Sequence, residues 1–228
     1  MSRPSFYTDY QYTDRKTKAR YVWLKYQSIL RGQSILDVGA DECHLKQYLD
    51  EGSSYCGIGL GEHVERHVNL EREKVPFPDN SFDCVLCLDV LEHLDNIHEI
   101  FDELCRVTRR HVIISLPNPW GNFYGVLCFG DYRPDQAIKF YGLPLESPQD
   151  RHKWFFSTEE AEKFILYRAA KNGMQVAQMD CRVGGEARGW KYLARILART
   201  ILLRGDLNLK NLYAGTLWAV LEKGNSGK

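Results

Sequence analysis

The residues best suited to chemistry lie at the ends of short apolar runs. Ser34-Ile35-Leu36-Asp37-Val38-Gly39 closes on an acid and a glycine, and Phe82 to Leu88 is followed by Asp89-Val90-Leu91-Glu92-His93-Leu94. Such runs read as buried strands, and in a doubly wound sheet ligands bind beyond the carboxyl ends of the strands, at the switch point. A glycine there lets backbone approach a ligand without a Cβ in the way. Asp89 either lines such a site or caps the helix that follows. His93 is placed to orient or deprotonate an acceptor, though a histidine at a helix start also serves as a cap or a packing group. Further along, Asp150-Arg151-His152-Lys153-Trp154 offers Arg151 and His152 as substrate contacts, or as a loop anchored by packing and ion pairs.

The cysteines carry less. Cys84-x-x-Cys87 lies within the fourth apolar run, and positions three apart on a strand face opposite sides. The pair therefore cannot grip one ion, and no metal site is expected. Seven scattered cysteines and no apolar leader at Met1–Tyr7 point to free thiols in a reducing, cytoplasmic setting.

These residues need elements to hold them. Apolar positions 19, 22, 23, 26, 29 and 30 predict a helix over 13–30, stopped by Gly32. Strands are expected at 34–39, 55–58, 67–70, 82–88, 111–116, 174–180 and 213–221, with helices at 44–50, 97–107 and 189–204. Ser157-Thr158-Glu159-Glu160 is a capping box opening a further helix to about Lys171, ended by Asn172-Gly173. This alternation predicts an α/β architecture: a Rossmann-like, doubly wound, mostly parallel seven-stranded sheet with helices on both faces and an antiparallel last strand. At 228 residues one domain is expected over 1–228. It carries an N-terminal helical extension (1–31), an insert (117–156) and a C-terminal helix and strand (182–228).

The insert holds five of the eight prolines and many aromatics, Tyr141 among them, which suggests a mobile lid over a substrate. A net charge of zero disfavours nucleic acid as the main partner, although basic residues cluster at 15–25 and 182–204. No apolar run is long enough to cross a membrane, and the basic amphipathic stretch 189–204 suits either a sheet-covering helix or peripheral contact with an anionic surface.

Ile35-Leu36-Asp37-Val38-Gly39 resembles the first motif of class I S-adenosylmethionine-dependent methyltransferases. Val75-Pro76-Phe77-Pro78-Asp79-Asn80-Ser81-Phe82-Asp83, continued by Leu88-Asp89-Val90-Leu91-Glu92-His93-Leu94, resembles the stretch around that family's fourth strand, in the subgroup acting on small molecules and glycan precursors. Ser115-Leu116-Pro117-Asn118-Pro119 and the run 150–157 fit as well, so the likeness covers residues 30–180. It implies S-adenosylmethionine as cofactor, held by Asp37, Gly39, Ala40, Asp41, Gly59, Asn69, Leu70 and Leu88. It also implies methyl transfer to oxygen or nitrogen of a small acceptor, with Asp89 and His93 at the chemistry and Tyr141, Arg151 and His152 on the substrate. The glycine motif is degenerate: Asp41 and Cys43 replace its second and third glycines, Gly59 replaces the acid that reads the ribose, and Asn69 replaces an aspartate. Glu62 is a candidate to compensate, and Gly59→Asp is expected to tighten binding. A cofactor-poor binding or regulatory subunit is the alternative. A dinucleotide oxidoreductase is disfavoured because Gly-x-Gly-x-x-Gly is absent from the first turn.

Overall fold

The computed structural model describes residues 6–120, 123, 151–183, 197, 211 and 214–224. Seven strands form one sheet in the order β3-β2-β1-β4-β5-β7-β6. They are β1 (Ser34–Val38), β2 (Ser54–Gly59), β3 (Arg66–His67), β4 (Phe82–Leu88), β5 (Thr108–Leu116), β6 (Met174–Val183) and β7 (Ala214–Lys223). The first five strands are parallel, and β7 runs antiparallel between β5 and β6. This is the Rossmann-like sheet that the alternation predicts. The chain reverses strand order on either side of β1, so the crevice between β1 and β4 is the topological switch point.

Alternation along each strand divides the core into two layers. Ile35, Cys84, Leu86, Ile113, Trp218 and Val220 face one side, where Tyr21, Val22, Tyr26 and Leu30 of helix α1 (Arg15–Leu30) cover them. Leu36, Val38, Val85, Cys87, Val112 and Ile114 face the other. There α2 (Ile97–Val107) lays down Ile97, Ile100, Phe101, Leu104 and Val107, and α3 (Thr158–Lys171) adds Ala161, Ile165 and Ala169. Cys84 and Cys87 thus lie on opposite faces of the sheet, as the period of two requires.

Caps fix the two longer helices. Asp14 accepts from the Thr17 amide at 2.8 Å, and the Thr17 hydroxyl accepts in return from the Asp14 amide at 3.1 Å. The Ser157 hydroxyl accepts from the Glu160 amide at 3.1 Å while the Glu160 carboxylate accepts from the Ser157 amide at 2.7 Å, which starts α3 at Thr158.

Three expectations change. Residues 44–50 hold only a 3-10 turn, His44–Tyr48, because Leu49 is already extended and leaves no length for an α-helix. The third strand is Arg66–His67, starting one residue before the expected 67–70 and ending three residues short of it, since pairing with β2 ends where Val68 donates to the Gly59 carbonyl at 2.9 Å. The fifth begins at Thr108, directly at the end of α2.

Most of the 117–156 insert, with Tyr141, lies outside the described residues, and so does the 189–204 helix except Leu197. The ends of the insert are described. The Asn118 amide donates to the carbonyls of Asn211 at 2.5 Å and Ala214 at 2.6 Å, and the Asn211 side chain accepts from the Thr158 amide at 2.8 Å. Asn211 therefore clasps the chain where it leaves β5 and where it enters α3.

Candidate active site

A cleft of about 650 Å³ opens at the carboxyl ends of β1, β2 and β4. Asp37, Gly39, Ala40, Asp41, Gly59, Asn69, Leu70 and Leu88 all line it, as do Asp89 and His93. Arg151 and His152 do not. Arg151 is exposed, and His152 is buried behind His93 with the two rings crossing at 85° and 4.5 Å between centroids.

The floor is built from backbone. Gly39 has φ +78, and a Cβ there would stand 2.3 Å from Val90 Cγ2, so only glycine fits where β1 meets the loop after β4. Gly59 has φ +150, and its Cβ would lie 3.3 Å from the Gly39 Cα. At Gly61 a Cβ would lie 2.3 Å from the Asp41 carbonyl oxygen. Close approach between the first two strand ends therefore uses glycines on β2 and just after it. In the loop after β1, Asp41 and Cys43 each adopt φ 51, the left-handed conformation that glycine fills without a Cβ penalty.

Asp37 is buried at the end of β1, where its carboxylate accepts from the Tyr55 hydroxyl at 2.8 Å. Burial pushes its pKa up to about 6, against the opposing pull of the Tyr55 hydrogen bond and the charge of Lys18. Burial and the neighbouring Asp37 charge push Tyr55 the same way, so its hydroxyl keeps its proton and remains the donor.

Asp89 has φ 55 and caps no helix; the 3-10 turn that follows, Leu91–His93, starts from Val90. Its carboxylate is held instead by Lys18 Nζ at 2.5 Å and the Ser115 hydroxyl at 2.6 Å. Lys18 also reaches the Ser115 hydroxyl at 3.1 Å. Helix α1 thus forms a wall of the cleft, with Arg15 paired to Asp41 and with Ala19 and Val22 beside it. Sequence reasoning missed Lys18, Arg15 and Tyr55; the one available signal was the basic cluster at 15–25.

Asn69 begins a local turn, its Oδ1 accepting from the Glu71 amide at 3.1 Å, which leaves one lone pair on that oxygen for a ligand. Glu62 is exposed and does not line the cleft, whereas Glu42 does. Glu42 lies 3.1 Å from His63 Nε2.

Behind the cleft, Lys153 and Trp154 stitch the chain entering α3 to the loop after β4. The Lys153 amide donates to the Glu92 carbonyl at 2.8 Å, and Trp154 Nε1 donates to the Leu94 carbonyl at 2.7 Å. Lys153 Nζ bridges Glu71 at 2.7 Å and Asp95 at 2.6 Å. This brings His152 against Glu92 and His93, and Glu92 is fully buried.

Residues 37–116 match the profile of a family described as a methyltransferase domain. No curated protein matches the chain significantly. Among solved structures, an S-adenosylmethionine-dependent methyltransferase from Archaeoglobus fulgidus is similar at TM-score 0.56 and 15% identity, covering 91% of this chain and 94% of its own. Magnesium protoporphyrin IX methyltransferase from Synechocystis PCC 6803, solved with bound S-adenosylhomocysteine, gives 0.54 and 14%, covering 92% and 83%. The [4+2]-cyclase SpnF gives 0.55 and 14%, covering 96% and 85%. The chain therefore has the methyltransferase fold, which is a statement about architecture and not yet about chemistry.

Proposed function

We propose that the chain is an S-adenosylmethionine-dependent methyltransferase acting on oxygen or nitrogen of a small-molecule or glycan-type acceptor. The matched domain and the S-adenosylhomocysteine-bound neighbour indicate the cofactor. The observation that carries the reading is that the ends of β1, β2 and β4, with the loop after β3, converge on one cleft at the switch point.

In this reading Asp37 attracts the cationic amino group of the cofactor's methionine part. Backbone at Gly39 and Ala40 underlies that part, Asn69 and Leu70 meet the adenine, and Leu88 borders the methyl donor. The acceptor's lone pair forms a bond to the methyl carbon as the carbon–sulfur bond breaks, and the electron pair returns the sulfonium to a neutral thioether. Asp89 and His93 stand on the acceptor side, where they orient the nucleophile and take its proton. Alignment and exclusion of water supply most of the acceleration. Six described cysteines are free thiols, consistent with a cytoplasmic enzyme.

Calorimetric titration with S-adenosylhomocysteine tests the reading. One site per chain is expected, weakened in Gly39→Val, whose side chain would collide with Val90. Absence of heat and of any thermal shift at millimolar ligand would replace it with the binding-subunit reading, to which Asp41, Cys43 and Gly59 then belong.

A further inference from the structure

We propose that Glu92, His93 and His152 form a binding site for one divalent transition-metal ion at the acceptor edge of the cleft. The three side chains offer a carboxylate oxygen and two imidazole nitrogens, all within 4.8 Å of one another. His93 Nε2 and His152 Nε2 lie 3.7 and 3.9 Å from the same Glu92 oxygen. Ligands bound at about 2.0–2.2 Å and at tetrahedral angles stand roughly 3.3–3.6 Å apart, so the two histidine–glutamate separations need to close by only about 0.1–0.6 Å and the third pair by at most about 1.5 Å.

The donor set also fits. Two imidazoles and one carboxylate suit zinc, manganese or iron(II), and three protein ligands leave positions open for a substrate. Glu92 is fully buried with both imidazoles on the same carboxylate oxygen, so all three donors converge on one point of the fold. The framework is rigid. Glu92 and His93 sit in a 3-10 turn closed by the His93 amide on the Val90 carbonyl at 3.0 Å, and the backbone bond from Lys153 to Glu92 sets His152 beside them. His93 lines the cleft and is partly exposed, which gives an ion and an acceptor a route in.

Binding of the ion stands on this geometry alone; its use in catalysis rests on the methyltransferase reading. On that reading the metal selects an oxygen acceptor. A hydroxyl coordinated to the ion releases its proton to solvent at neutral pH, and the metal-held oxygen then forms its bond to the methyl carbon as the carbon–sulfur bond breaks. His93 then acts as a ligand and not as a free base.

The test uses the whole chain, stripped with chelator and titrated with Co(II), whose visible ligand-field bands report imidazole and carboxylate ligation without any turnover. One equivalent is expected to bind and to be displaced by Zn(II). His152→Ala and the nearly isosteric Glu92→Gln should each weaken binding at least tenfold. In His152→Ala, S-adenosylhomocysteine affinity should stay within twofold of the parent, which also shows that the variant is folded. No ligand-field spectrum, or one that persists unchanged in both variants, overturns the site and leaves a packed His-Glu-His cluster. Co(II) binding without S-adenosylhomocysteine binding keeps the metal site and removes its role in methyl transfer.

Discussion

Lys18 of the first helix and Asp89 just after the fourth strand form an ion pair at 2.5 Å that joins the N-terminal segment to the β4 side of the cleft. The pair is partly shielded, with the lysine side chain 13% exposed. Asp89, with its side chain 36% exposed and the Ser115 hydroxyl still on it, is only partly desolvated, so losing the lysine costs about 1 kcal/mol. Lys18→Met should lower the melting temperature by roughly 2–4 °C for each kcal/mol lost. It should also weaken S-adenosylhomocysteine binding, because α1 walls the cleft. Asp89→Leu in the Lys18→Met background should cost less than the sum of the two single changes. Strict additivity in thermal unfolding would mean that the pair contributes nothing.

A second expectation concerns pH. The carboxyl of Asp37 is raised to about 6 by burial, above its ordinary 3.8, so between those values the folded chain holds a proton that the unfolded chain has released. Its contribution to stability is therefore greatest at low pH and is lost as pH rises through about 6. A cationic ligand group reverses the preference, because it needs the ionised carboxylate. Affinity for S-adenosylhomocysteine should climb as pH rises from 5 to 7 and then level off, with proton release on binding near pH 6. Asp37→Asn should flatten both profiles. Calorimetry in buffers of different ionisation heat reads the released proton directly, and an unchanged pH profile in Asp37→Asn would assign the dependence elsewhere.

The expected gain from Gly59→Asp is reversed by geometry. With φ +150 and a Cβ only 3.3 Å from the Gly39 Cα, the substitution strains the backbone and presses on the cleft floor. A strained backbone position of this kind costs about 1–3 kcal/mol. The variant should melt at lower temperature and bind S-adenosylhomocysteine more weakly. If it binds more tightly with unchanged stability, the strand ends must relax apart, and the ribose carboxylate can then be restored at that position.

Where local chemistry dictates structure, the sequence was legible to the residue. The box formed by Ser157 and Glu160 marks the start of α3, and the apolar run from Phe82 to Leu88 matches β4 at both ends. The order of strand-end motifs located the cleft, since each of Asp37, Gly59, Asn69 and Leu88 closes or follows its own strand. What failed depends on partners remote in the chain. Nothing near Lys18 announces Asp89 or Ser115, and nothing near Asp37 announces Tyr55. His152 reads as a substrate contact or as part of an anchored loop, and the bond from Lys153 to the Glu92 carbonyl, which nothing nearby announces, sets it behind the cleft. Cys43 and Asp41 stand where the resemblance expects glycines, and residue type hides that both take the left-handed φ.

Asn211 holds the chain on both sides of the segment between Asn118 and Thr158, through its carbonyl to one and its side chain to the other. The two ends of this segment are therefore fixed to one residue, and a replacement sequence need only meet the same two ends. A transplanted loop of different length would inherit the same anchor posts, and His152, pinned by its own neighbours to the loop after β4, would keep its place while the grafted sequence changed. A library varied only between residues 121 and 150 would leave both anchor posts unchanged and would test whether that stretch carries acceptor preference.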